Sequence, residues 1–185
     1  MADDFEIAPA DILAFWFSDE VKQKWFEPDV AFDAELKKRF ELALENAKLG
    51  TLMFWSERPQ GAVALVILLD QISRNIYRGT PEAFAADALA RKIAKDAIAR
   101  GLDGALSVDE RWMLYMPFMH SEYLDDQEKG LELFTALGVE DQVGYMRQHR
   151  DIIARFGRFP HRNATLGRTS TPEELEFLKR FGRGF

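Results

Sequence analysis

The chain has no cysteine. That excludes a disulfide framework, a thiolate nucleophile and any cysteine-based zinc site. Histidine is scarce, with 3 in 185 residues. The separations of His120, His149 and His161 match no compact ligand motif, so no metal is expected. The longest apolar run, residues 62–69, is far too short to span a bilayer, and no membrane partner is expected. The opening MADDFEIAPA is acidic and lacks the basic-then-apolar order of a secretory leader. A cytoplasmic protein is the expectation. No GxSxG elbow, Walker loop, GxGxxG fingerprint or HExxH pair occurs, and no cofactor is expected. Strand-turn-strand alternation, long linkers, low-complexity tracts and exact internal repeats are missing as well.

What is present is an apolar, aromatic chain: 47% hydrophobic, with 15 phenylalanines and 4 tryptophans. It can bury a real core. Residues 1–185 fit a single helical domain. Pro9 suits a first helical turn and precedes Ile12, Leu13, Phe15, Trp16 and Phe17. Asp29 is placed to cap a helix whose Phe32, Leu36, Phe40 and Leu44 fall every fourth residue, with Gly50 as its stop. The run AVALVILLDQI is ambiguous by periodicity alone. Its continuation into Asp70, Arg74 and Arg78 at fours favours helix. Thr80-Pro81 reads as a cap and first turn for a helix to Arg100. Ser107 to Glu110 and Thr171 to Glu174 match capping boxes. Further helices are predicted over residues 131–137 and 140–156. The reading is all-α, with about seven to nine helices.

Charge is uneven. The net charge is −7, which argues against coating nucleic acid. Yet residues 147–168, RQHRDIIARFGRFPHRNATLGR, carry six arginines and one acid, a local +5 that leaves −12 elsewhere. Guanidinium forks fit carboxylates and phosphates. These arginines either bind an anion or pair with the chain's own acids. Phe156 and Phe159, interleaved with them, could stack a base. Two further polar segments interrupt the helical pattern. Asp70, Arg74 and Arg78 share a helical face that prolongs an apolar helix, which places part of it near the core. Around Pro117, the residues YMPFMHSEY set His120 and Glu122 two apart, off a common helical face.

These segments carry a family resemblance. LLDQISRNIYRGTPEAFAADALA, RWMLYMPFMHSEYLDDQ and HRDIIARFGRFPHRNATLGRTSTPEELEFL resemble the signature blocks of the bacterial family of unknown function DUF924. LAFWF, KWF, FDAEL and GTLMFW resemble its N-terminal half. Ser73 departs from the family pattern, which often has proline there. The resemblance implies a tetratricopeptide-like array of antiparallel helices, although no 34-residue period is visible. It brings no activity. It draws attention to Asp70, Arg74, Asn75, Arg78, His120, Glu122, His149, Arg155, Arg158, His161, Arg162 and Asn163.

The leading expectation is a helical pocket for a small anionic ligand or an acidic peptide terminus. Arg74, Arg78, Arg155, Arg158 and Arg162 would supply charge, Asn75 and Asn163 orientation, and His120, His149 and His161 hydrogen bonds. A second reading is an enzyme on such a substrate, with His120 or His161 as acid–base and Asp70 or Glu122 orienting it. A third is a scaffold with a protein partner, the usual use of stacked helical hairpins. A fourth is purely structural: arginines and acids joining helices.

Overall fold

The computed structural model describes residues 7–181. Among them lie nine helices and no strand. They are α1 (Pro9–Trp16), α2 (Asp19–Lys22), α3 (Val30–Lys48), α4 (residues 59–76), α5 (Asp87–Ala99), α6 (Val108–Met119), α7 (Leu124–Leu137), α8 (Glu140–Phe156) and α9 (Pro172–Phe181). The all-α expectation holds. Of these residues, 7–78 and 82–114 form one compact unit, and 79–81 and 115–181 form the other.

Local chemistry sets most helix ends. The Asp29 carboxylate accepts from the Ala31 and Phe32 N–H groups at 2.9 and 3.0 Å, capping α3. Both capping boxes close, Ser107 with Glu110 and Thr171 with Glu174. Two boundaries differ from expectation. No α-helix starts at Thr80-Pro81; a tight turn, Pro81–Phe84, intervenes and α5 begins at Asp87. The helix expected from Leu131 begins at Leu124. Asp125 and Asp126 in its first turn complement the positive end of the helix dipole. Pro117 lies inside α6 without ending it. Its missing N–H removes the intrahelical donor that would serve the Met113 carbonyl one turn earlier.

In the first unit, α4 is the core element. Every residue from 62 to 69 is 0% exposed, with α1, α3, α5 and the turn Met53–Glu57 packed around it. A helix covered on all sides has no polar face to display, which explains why periodicity failed there. Each fully buried Val, Leu or Ile contributes about 1.5–3 kcal/mol. Within α4, residues Ile67–Ile72 are wound as a π segment. This wider turn changes the register of the residues after it. Gly61 is needed for the packing: a Cβ there would lie 2.1 Å from the Trp55 carbonyl oxygen. Gly61→Ala is therefore expected to destabilise by about 1–3 kcal/mol through overpacking, although alanine is the better helix former. Urea unfolding checks this, and a variant as stable as the parent would refute the close approach.

In the second unit, α7 and α8 are joined only by Gly138 and Val139, which makes them an antiparallel hairpin. Gly138 sits at φ +79°, a left-handed conformation that other residues rarely adopt. Such hairpins are the repeating unit of tetratricopeptide-like arrays. Beyond α8 the chain passes through a short turn, Pro160–Arg162, to α9. Ile152, Ile153, Phe159 and Phe177 form a shared core there. Gln127, 0% exposed, donates to the carbonyls of Met119 and Ser121 at 2.8 and 2.6 Å. That fixes the segment bearing His120.

Candidate functional site: a histidine cluster beside an arginine–carboxylate network

The face formed by Asp70, Arg74 and Arg78 belongs to the first unit. Asp70 is 0% exposed. Its carboxylate accepts from Gln71 Nε2 at 2.7 Å and lies 3.2 Å from the Arg74 guanidinium. Arg74 also donates to the Asp70 carbonyl at 2.6 Å and to Asp87 on α5 at 2.9 Å. Burial alone would lower the Arg74 pKa. The Asp70 and Asp87 carboxylates outweigh it and hold the group above its ordinary value. Arg78 grips Asp33 of α3 with two bonds, at 2.7 and 2.9 Å, and Asn75 donates to the same carboxylate at 2.8 Å. These residues fasten α4 to α3 and α5. The Asp70–Arg74 pair lies within α4, while the other partners, Asp87 and Asp33, sit on neighbouring helices.

The other two segments meet in the second unit. One part of that meeting is a network of ion pairs. Arg158 binds Glu174 with two bonds, at 2.7 and 2.8 Å, and donates to the Thr169 carbonyl at 2.9 Å. Asn163 donates to Ser170 Oγ and Glu174, and its carbonyl oxygen accepts from Arg168 at 2.9 Å. Arg168 in turn clamps Glu122 at 2.7 and 2.9 Å, while Glu122 accepts the Phe159 N–H at 2.8 Å. The Arg158 fork, with the Thr171 N–H and Asn163, draws the Glu174 pKa down to about 2. Glu122 is also lowered: burial would raise it, but Arg168 and the Phe159 N–H prevail. Arg155 reaches Glu173 at 2.7 Å on the exposed surface.

The second part is a cluster of imidazoles. Two of the chain's 3 histidines, His149 and His161, pack on Phe159, which is 0% exposed, and the third, His120, packs on His149. The His149 ring lies 6.5 Å from that of His120 and 5.6 Å from Phe159. His161 lies 5.5 Å from Phe159 on centroids. The Arg162 guanidinium stands 4.6 Å from the Phe159 centroid and donates to the His120 carbonyl at 3.1 Å. Arg162 and His149 are buried, and His120 and His161 are half-buried. His149 Nδ1 lies 2.8 Å from the Tyr145 carbonyl. That contact assigns the proton of the neutral ring to Nδ1 and makes Nε2 the acceptor atom. Burial pushes the His149 pKa down to about 4, and the charges of His120, His161 and Arg162 act in the same direction. Burial, then Arg162 and His120, hold His161 down to about 4. At neutral pH the cluster therefore combines a fixed cation with two uncharged imidazoles.

The sequence candidates thus separate. His120, His149, His161 and Arg162 come together. Asn163, Arg158 and Glu122 frame them through the ion-pair network. Arg74, Asn75 and Arg78 hold the first unit together. Phe159 cannot stack a base, because it is the buried centre of the cluster. Sequence reasoning missed the acids Asp33, Asp87 and Glu174 as arginine partners. Only Glu174 carried a signal, its place in a capping box. Among the described residues, no trio of histidines and acids is arranged to hold a metal ion. No helix there is long and apolar enough to cross a membrane.

Comparison with known proteins places the fold in a family. No curated protein matches the chain. A solved structure, that of the protein of unknown function ATU0120 from Agrobacterium tumefaciens, is 43% identical, with a TM-score of 0.88 over 93% of this chain and 97% of that one. The model of a family described as bacterial protein of unknown function (DUF924) matches residues 12–182. The chain belongs to that family.

Proposed function

We propose that the protein binds a small anion, through a carboxylate or phosphate group, at the cluster of His120, His149, His161 and Arg162. One observation carries this reading: three imidazoles and a buried guanidinium, drawn from two distant segments, converge at a partly open position. Arg162 supplies the fixed charge, and the histidines supply donors and proton uptake. The Glu122–Arg168–Asn163–Glu174–Arg158 network holds the 157–171 loop that presents His161 and Arg162. A few convergent polar groups against an apolar floor suit a small ligand. The test is calorimetry and histidine ring NMR with phosphate, citrate and a panel of phosphorylated metabolites. Arg162→Ala should weaken binding by about tenfold or more, the worth of a charge-assisted hydrogen bond. Arg155→Ala, a surface pair, should leave binding unchanged. Failure of every anion to shift the ring resonances, or full binding by Arg162→Ala, removes the proposal.

A second reading, acid–base catalysis on such an anion, draws on the neutral state of His149 and His161 at pH 7. A neutral imidazole is the basic form that proton abstraction requires. In this reading the Tyr145 carbonyl orients His149, in place of the Asp70 or Glu122 expected from sequence. Turnover of a bound phosphate ester, lost in His149→Gln with binding retained, would distinguish it.

A further inference from the structure

A cleft of 610 Å³ in the first unit, between the starts of α1 and α4, has no place in the reading above. Its walls are apolar: Ile7, Leu13, Phe54 and Trp55 line it. The volume falls within the range of small-molecule sites. The polar groups along it are mainly donors. Arg58 lies on the lining and pairs with no acid among the described residues. Trp55 is only 7% exposed, and its indole N–H meets no acceptor among the described residues. The indoles of Trp16 and Trp25 do find acceptors, in Met113 Sδ and the Trp16 carbonyl. The Trp55 nitrogen is not among the fully buried unpaired atoms, so it keeps contact with solvent and is open to a ligand acceptor. The start of α4 adds more of the same polarity. No side chain caps it. Its first N–H with a carbonyl acceptor is that of Ala62, bonded to Arg58 at 3.0 Å. The two residues before Ala62, Gln60 and Gly61, both line the cleft.

We infer that this cleft binds an amphiphile with a carboxylate head and an apolar tail, of the medium-chain fatty-acid class. The carboxylate meets Arg58, the Trp55 N–H and the dipole end of α4. The tail covers Ile7, Leu13 and Phe54. Arg58 is exposed; an uncharged amphiphile would accept hydrogen bonds but lack the charge that the guanidinium favours, and a cationic one would be repelled. A short anion would gain no burial.

Titrating the intact protein with decanoate, decanol, decyltrimethylammonium and acetate tests this, read by calorimetry and tryptophan fluorescence. Trp55→Phe assigns the optical signal. Decanoate should bind saturably, more tightly than the other three. Arg58→Glu should weaken it by about tenfold or more. Ala10→Trp, at an exposed position on the lining, should block the cleft without altering charge. Arg162→Ala should leave decanoate affinity unchanged, and inorganic phosphate should not compete, so this site and the histidine cluster succeed or fail separately. The inference is overturned if decanoate does not bind, if decanol or decyltrimethylammonium binds as tightly, if acetate does so, or if Arg58→Glu or Ala10→Trp has no effect. Thermal melts confirm that each variant folds.

Discussion

Asp70→Ala is expected to lower the unfolding free energy by about 3–5 kcal/mol, the cost of removing one partner from a buried ion pair. Asp70 has no solvent exposure and sits in the π segment of α4. It accepts from Gln71 and pairs with Arg74. Its loss strips an acceptor from a buried amide and a counter-charge from a buried guanidinium. Asp87 still pairs with Arg74, which favours the lower end of that range. Asp70→Asn keeps the shape and one acceptor oxygen, so it should fall between alanine and the parent. Arg155→Ala is the control: its pair with Glu173 is more than half exposed at both ends, and such pairs contribute about 1 kcal/mol or less. Urea unfolding followed by circular dichroism at pH 7 measures all three. An Asp70→Ala variant as stable as the parent would show that the carboxylate is not holding the helix, and would return Asp70 to the list of ligand-binding or catalytic groups.

The helices that sequence made legible are those with a one-sided pattern and a chemical end. In α3, Phe32, Leu36, Phe40 and Leu44 are all buried and Asp29 caps the start. For α8 and α9, Gly157 and the Thr171 box mark the ends that the structure has. In α4 the signal fails because burial on every side erases the pattern. The π segment had no local signal either: Ile67–Ile72 holds no proline or glycine, and its buried Asp70 bonds to the neighbouring Gln71 and to Arg74. Thr80-Pro81 misled because a cap and a first-turn proline also suit a single tight turn.

The candidate site was legible as composition and not as pairing. The +5 block covers the segment in which the arginine–carboxylate network forms. Its partners lie 16 to 18 residues on for Arg158 and Arg155, and 46 residues back for Arg168. No spacing rule reaches that far. His120 and Glu122, neighbours in sequence, part company: Glu122 turns to Arg168 and the Phe159 N–H, while His120 joins His149. The stacking of His149 and His161 on Phe159, with His120 against His149, depends on the α7/α8 hairpin and the loop that follows it, so only tertiary structure reveals it.

Stability should fall as pH drops from about 6.5 to 4, before carboxylates ordinarily matter. His149 has a folded pKa of about 4 against an ordinary 6.5. In that window the unfolded chain takes up a proton that the folded protein resists, so acid favours unfolding. The full shift corresponds to about 3 kcal/mol for His149. His161 acts in the same direction. Glu174 and Glu122 act lower down. Their folded pKa values lie below the ordinary 4.5, so their stabilisation is present above that value and is lost as pH falls below it, toward about 2 in the case of Glu174. Two separate declines are therefore expected in urea unfolding measured from pH 7.5 downward. His149→Gln, which can still donate to the Tyr145 carbonyl, should flatten the upper decline and leave the lower one. Phosphate provides the link to binding. An anion among the imidazoles favours their charged forms, so saturating phosphate should restore more stability at pH 5 than at pH 7.5, and less in Arg162→Ala. A profile level from pH 7.5 to 5 would mean that these rings titrate as they do in water, and the cluster would then lack the buried polarity on which anion binding there depends.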